Sequence, residues 1–302
     1  MTRCTPQRLA DAEHFIWLTA RVLEQRRFEH LHAGGPAEPV RTALEAYRCA
    51  DGGYGYGLEP DARGPISQPL QTWTALTTLD EIGCCAEAAP GICDHLTTIT
   101  RPDGGVPGGD VRLRDYPHAP WIPVAEEPEG MLLTTALLAG VLHKNAVEHP
   151  WLAGATDFCW KRVDALTETH PYEATAAIAF LDHVPDRDRA RRTAARIGAM
   201  IREAGYVLLD PDHPEQARVA PGYASGEVPG VCDYAASPTS LAREWFTDAE
   251  VERGLDHLAA QQREDGGWPI HWREWSPSTA LEGRPRVTLD ALRVLQAYDE
   301  AK

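Results

Sequence analysis

The sequence predicts an all-α protein, built of helical hairpins closed into a ring, on three observations. A helix-stopping turn recurs, as Asp51-Gly52-Gly53-Tyr54, Asp103-Gly104-Gly105-Val106 and Asp265-Gly266-Gly267-Trp268. A leucine (Leu44, Leu96 or Leu258) precedes each aspartate by two helical turns, so every copy buries the same face. Apolar residues recur at helical spacing elsewhere, and no segment sustains the period-two alternation of Val, Ile and Thr that marks a strand. The connections are of two kinds: short after Gly83, Asn145 and Val184, long and rich in polar and aromatic residues after the Asp-Gly-Gly turns. A linear solenoid fits the same helix count. A ring also accounts for the loops, because it gathers every long one at one end, over the mouth of a central cavity. Repeated units of this kind bury a continuous core by stacking on one another.

The turn itself has a local cause. Two glycines supply the positive φ that ends a helix, the aspartate can cap free loop amides, and an aromatic after them can fold back over the last turn. Taken in order, residues 7 to 30 read as one long helix with Leu9, Phe15, Leu18, Val22 and Leu23 on its apolar face. Gly34-Gly35-Pro36 breaks it, and a helix over 39 to 50 ends at the first Asp-Gly-Gly turn. Ser67 and Pro69 open the next, where Leu70, Trp73, Leu76, Leu79 and Ile82 keep helical spacing until Gly83. Further helices are expected over 86 to 100, 129 to 144, 149 to 167, 172 to 184 and 187 to 202. Glu203-Ala204-Gly205-Tyr206 reads as a decayed copy of the turn. A long loop over 207 to 236, a short helix from Pro238, and helices over 248 to 263 and 287 to 299 complete the chain. The whole is an (α/α) toroid of five to six hairpins, one domain over residues 1–302.

Composition narrows the function. The chain has 302 residues, ordinary hydrophobic content and a net charge of −16, which argues against a nucleic-acid partner. No apolar run approaches the roughly 18 residues of a membrane span, and the N-terminus lacks a signal-peptide core. A soluble, cytoplasmic protein without a membrane span is therefore expected. Seven irregularly spaced cysteines do not suggest a disulfide framework. Cys84-Cys85 reads as a reduced pair at a helix edge.

Candidate chemistry lies in the long loops and the first turns of the helices after them, whose N-termini suit an anionic or polarised group. Glu59 and Asp61 are candidate general acids, with Arg63 to position them or bind an anion; capping of the next helix is the plainer use of all three. Glu173, in the run His170-Pro171-Tyr172-Glu173, is either a buried site carboxylate or a helix-dipole partner. Asp233, beside Cys232, precedes another inner helix and is a third candidate acid. His271, Trp272 and Trp275 crowd one mouth loop, where aromatic faces can line an apolar ligand or stabilise a cation. Trp268 is expected to stack on the helix stop, and Trp73 lies on an inner helix as core or cavity lining.

Gly254, Leu258, Gln262, Gly266 and Trp268 fall at the spacing of the QW motif of squalene and oxidosqualene cyclases, with His257 where that motif has an aromatic. The Asp-Gly-Gly-aromatic turn is shared with protein prenyltransferase β subunits. The chain thus resembles the terpenoid cyclase/protein prenyltransferase toroid superfamily. The resemblance implies the toroid, and it implies cyclisation or isomerisation of an isoprenoid-like substrate begun by protonation. The families' reactive motifs are missing. There is no Asp-x-Asp-Asp acid, the nearest string being Asp210-Pro211-Asp212-His213. Cys232-Asp233 reverses the zinc-binding Asp-x-Cys order, and no Asp-Asp-x-x-Asp magnesium cluster occurs. No metal or other cofactor is expected, and the partner is a small apolar or anionic molecule. Three readings stay open: a terpene-cyclase-like isomerase or lyase, a carbohydrate-active hydrolase or lyase with paired carboxylates, and a non-catalytic toroid that binds a ligand or peptide.

Overall fold

Proline, threonine and glycine set most helix boundaries in the computed structural model, which describes residues 2–301. Among these residues all regular structure is helical apart from isolated bridges. Helix α1 (Pro6–Thr19) begins where the Thr5 hydroxyl accepts the Arg8 N–H and proline takes the first helical position. The expected single helix over 7 to 30 is in fact two. Ala20 is extended (ψ 155°), and α2 (Val22–Ala33) starts beyond it. No glycine or proline announces this break. The Gln25 amide reaches the Ala20 carbonyl at 3.1 Å, so a side chain satisfies a group that a continuous helix would have paired.

The helices that follow are α3 (Glu38–Glu45), α4 (Pro69–Glu81), α5 (Cys85–Ile99), α6 (Leu132–Lys144), α7 (Pro150–Asp164), α8 (Pro171–Leu181) and α9 (Arg187–Ala204). The short α10 (Val231–Tyr234), α11 (Asp248–Ala260) and α12 (Pro277–Glu300) end the chain. The helix expected from Pro238 does not form. The Ser237 hydroxyl accepts the Thr239 N–H and pairs with the Thr239 hydroxyl, which holds a turn instead, and only a 3-10 segment follows at Leu241–Trp245. Helix α12 begins ten residues earlier than expected and carries Pro285 inside it. The carbonyl this proline leaves without a partner is that of Leu281, which is exposed, so water can take the lost bond.

The chain divides into two compact units. The first takes the chain through Phe28, then Glu168–Ile178, then from Arg191 onward; the second takes Glu29–Thr167 and Ala179–Ala190. In the second unit α4 pairs with α5 and α6 with α7; α4 also packs on α6, and α5 on α7. This forms two layers. Ten of the thirteen residues of α6 are buried, which fits a helix enclosed on all sides. In the first unit α12 packs against both α11 and α1, so the first and last helices of the chain are neighbours.

The Asp-Gly-Gly turns share one geometry. Gly52, Gly104 and Gly266 have φ of 89°, 93° and 88°, a region open to glycine at little cost. Each donates its N–H to the carbonyl three residues back, on Cys49, Arg101 or Arg263 (3.1, 2.9 and 2.9 Å). Asp51, Asp103 and Asp265 each accept the N–H of the second glycine (3.2, 3.0 and 3.1 Å). A Cβ on that second glycine would strike His95 of α5, Phe158 of α7 or Phe15 of α1, so the turn seats directly on a neighbouring helix. Finally, the residue after the turn donates its N–H to a fully buried threonine on the next long helix. The pairs are Tyr54 to Thr72 (3.2 Å), Val106 to Thr135 (2.8 Å) and Trp268 to Thr288 (3.0 Å). The Trp268 ring is wholly buried and its indole N–H reaches the Leu258 carbonyl at 2.7 Å, so it does pack on the helix stop. Gly205 keeps only part of the pattern, with φ of 74° and a bond to the Arg202 carbonyl.

Candidate active site

The sequence-derived candidates fall into both units. In the second unit, the loop after the first Asp-Gly-Gly turn is stitched to residues 117–121. The Ala119 N–H meets the Asp61 carbonyl at 2.7 Å, and the Arg63 N–H meets the Pro117 carbonyl at 2.9 Å. One Glu59 oxygen accepts the Asp61 N–H (2.9 Å), and one Asp61 oxygen accepts the Trp121 indole N–H (2.8 Å). The guanidinium of Arg63 lies against Gly57, where a Cβ would come within 2.8 Å of it. Beneath, Ala62, Ile66 and Leu113 form a small apolar cluster with Tyr116, Ile122 and Val124. Glu59 and Asp61 thus hold loop groups in place, and Trp73 is half-buried on α4.

In the first unit the start of α8 and the loop over 207–236 bring several titratable groups together. His170 pairs through Nε2 with the Pro221 carbonyl (3.1 Å) and accepts the Tyr172 N–H at Nδ1 (3.3 Å), which fixes the ring's orientation. Its ring lies 5.6 Å from that of Tyr172 and 4.9 Å from that of Tyr223, and the two tyrosine rings are 5.0 Å apart. The Tyr172 and Tyr223 side chains are hydrogen-bonded, and burial drives the Tyr223 hydroxyl far above its ordinary pKa. Glu173 reaches the His170 N–H at 3.5 Å, the place of a dipole partner at a helix start.

Two carboxyl groups stand out here. Glu227 is almost fully buried, and one of its oxygens accepts the Ala224 N–H at 2.8 Å. Burial raises its pKa, against the lowering effect of that N–H and of nearby His170 and His271. Asp233 sits on α10 with one oxygen on the Gly230 N–H at 2.6 Å. Burial raises its pKa too, opposed by the Gly230 N–H and by His271 and His257. Asp233 nonetheless keeps solvent access. Next to it, burial and the Asp233 charge push the Cys232 thiol up to about 12. Cys232 is therefore a protonated thiol at neutral pH, a poor metal ligand. Among the described residues no cluster of His, Cys, Asp and Glu is arranged to hold a metal ion.

His257, on α11, has its pKa lowered by burial and by His271, with Asp233 and Asp212 acting the other way. Gln261 donates to its Nε2 at 3.0 Å, within the same helix. His271 is exposed on the loop after Trp268, and the ring of Trp272 lies over Gly283 of α12, 3.2 Å from where a Cβ would sit. Trp275 is half-buried. The first unit therefore groups Asp233 and His271 electrostatically, and His170 with Tyr172 and Glu173 by contact. Sequence reasoning missed Glu227 and Tyr223, which no spacing distinguishes within a long loop. His257 did carry a signal, as a histidine where the QW spacing has an aromatic.

No protein-family model matches the chain, and no curated protein sequence matches it. Among solved structures, a protein from Actinoplanes is similar over 96% of this chain and 88% of its own, with a TM-score of 0.54 and 19% identity. A tyrosine-to-phenylalanine variant of the type II terpene cyclase MstE from Scytonema, in its apo form, is similar over 98% of this chain and 89% of its own, with a TM-score of 0.51 and 14% identity. The fold is all-α and terpene-cyclase-like, in keeping with an (α/α) toroid. At these identities the likeness concerns fold alone.

Proposed function

We propose that this protein protonates a small isoprenoid-like substrate and guides the resulting carbocation through cyclisation or isomerisation, with Asp233 as the proton donor. The observation that carries the reading is Asp233 itself. It is an exposed carboxyl at the start of α10, open to substrate and solvent, and the protein around it raises its pKa. Next to it Tyr234, Trp245 and Phe246 pack as a buried aromatic cluster with ring centres 5.7 to 6.5 Å apart, which holds α10 in place. A type II terpene cyclase, MstE from Scytonema, is among the solved structures that share this fold, which a reading of this kind requires. Asp61 and Glu59 take a supporting part in this reading, because both carboxylates already hold loop donors.

The test is incubation of the purified protein in D2O with linear polyprenyl diphosphates, polyprenyl alcohols and squalene-type hydrocarbons, followed by mass spectrometry. A cyclised or isomerised product bearing one solvent deuterium is expected, and it should vanish in Asp233→Asn. A second reading, glycoside hydrolysis, draws on the presence of two raised carboxyls, Glu227 and Asp233, in one unit. Turnover of aryl glycosides with no change in any isoprenoid would favour it.

A further inference from the structure

The three Asp-Gly-Gly turns differ in what faces the aspartate. In the third copy the Arg284 guanidinium grips Asp265 with two bonds of 2.8 Å. In the first, the Arg112 guanidinium stands 3.9 Å from Asp51. In the second, among the described residues, no cation pairs with Asp103. Its two oxygens accept only the N–H groups of Gly105 and Gly130, both at 3.0 Å. Four residues before the threonine that receives the turn stands Arg284 in the third copy but Met131 in the second, so the chain supplies no guanidinium there.

A cavity of about 490 Å³ opens over this second turn, a volume in the range of small-molecule sites. Arg101, Asp103, Glu127, Glu129 and Arg162 line it, and among the described residues no ion pair joins any two of them. Glu127 and Glu129 are exposed, with no hydrogen bond from their side chains. Arg162 lies over the Phe158 ring (5.4 Å) and gives one N–H to the Gly130 carbonyl (3.2 Å), which leaves the rest of its fork without a protein acceptor. The Arg101 Nε is buried and has no partner, a donor that calls for an acceptor from outside the chain.

We propose that this cavity binds a small molecule with a guanidinium or ammonium at one end and a carboxylate at the other, a basic α-amino acid being its simplest form. The cation takes on Asp103 the place that Arg284 holds on Asp265, with Glu127 and Glu129 in the same cavity. The carboxylate meets Arg101 and Arg162, whose planar forks match its two oxygens. Charge agrees with this assignment. Three carboxylates against two guanidiniums leave the lining one negative charge, and a basic amino acid carries one positive charge. A simple anion is repelled by the carboxylates and a simple cation by the guanidiniums, so neither fits as well. The site lies within the second unit and does not depend on the Asp233 reading.

Calorimetric titration of the whole protein with L-arginine, L-lysine, agmatine and L-glutamate tests the proposal. L-Arginine or L-lysine should bind with Kd below about 1 mM, and L-glutamate at least tenfold more weakly. Agmatine keeps the guanidinium but lacks the carboxylate, so it too should bind at least tenfold more weakly than L-arginine. Arg101→Gln should weaken L-arginine at least tenfold and leave agmatine no weaker. Glu127→Gln combined with Glu129→Gln should weaken both ligands, and thermal melts matching the wild type would show that these variants fold. Asp103→Asn should abolish binding; if it fails to fold, the other variants still decide the matter. No heat from L-arginine or L-lysine at about 10 mM would overturn the proposal. So would an L-arginine affinity unchanged by Arg101→Gln and by the double glutamine variant, or wild-type binding of agmatine as tight as that of L-arginine.

Discussion

Replacing Thr288 with valine tests the repeat at its least visible point. The two side chains have the same shape and the same branching at Cβ, so packing and helix propensity barely change. What is lost is the hydroxyl that accepts the Trp268 N–H at 3.0 Å. Thr288 and Trp268 are both at 0% exposure, so no water can replace it. A buried donor left without a partner costs about 1–3 kcal/mol. The hydroxyl's other bond, to the Arg284 carbonyl, costs little to lose because that carbonyl keeps its helical partner. In a chain of this size each kcal/mol lowers Tm by roughly 2 °C, so a fall of about 2–6 °C is expected, with an unchanged urea m-value. Thr72→Val and Thr135→Val should behave alike, because both threonines make the same bond and are equally buried. Thr97→Val is the control. Its exposed hydroxyl bonds only to the Cys93 carbonyl of its own helix, and about 0.5 kcal/mol or less is expected. If Thr288→Val and Thr97→Val proved indistinguishable in urea melts, the reasoning from buried donors would be wrong.

Other expectations follow from the same geometry. Gly266→Ala places a Cβ 2.0 Å from the Asp11 carbonyl oxygen at φ 88°, and should cost more than about 3 kcal/mol or prevent soluble expression. Asp233→Asn should lower turnover at least about 100-fold with Tm within roughly 2 °C of the wild type; equal losses of fold and activity would make Asp233 structural. Asp61→Asn keeps an oxygen for the Trp121 indole and should retain most turnover, so its inactivation would return Asp61 to the role of acid. His95 is buried against the first Asp-Gly-Gly turn and its pKa is lowered by burial, against the pull of Asp51. The unfolded chain then binds that proton more readily than the folded one. The His95 contribution to stability is therefore complete above about pH 6.5 and falls as pH drops through and below that value, until the folded pKa is passed. Urea melts at pH 7.5 and pH 5.5 should show a smaller pH difference in His95→Gln than in the wild type.

The Asp-Gly-Gly turns were legible because their causes are local. A positive φ calls for glycine, an Asx cap calls for aspartate one position before, and a leucine two turns back marks the buried face, all within one stretch of chain. The same locality explains why α4, α5 and α9 lie within two residues of where periodicity and capping put them. The break at Ala20 was hidden, because no glycine or proline stands there to announce it. Pro285 misled in the other direction, because a helix tolerates proline when the orphaned carbonyl faces water.

By itself, the sequence determined that the chain is helical, where its hairpins turn, and that glycine must stand at the centre of each turn. Tertiary structure alone decided which threonine receives each turn's buried N–H. The intervals from aspartate to threonine differ among the three copies because the long loops differ in length, so no fixed spacing reveals them. It also decided which carboxyls have a raised pKa. Desolvation of Glu227 is a property of everything packed around it, and no neighbouring residue encodes it.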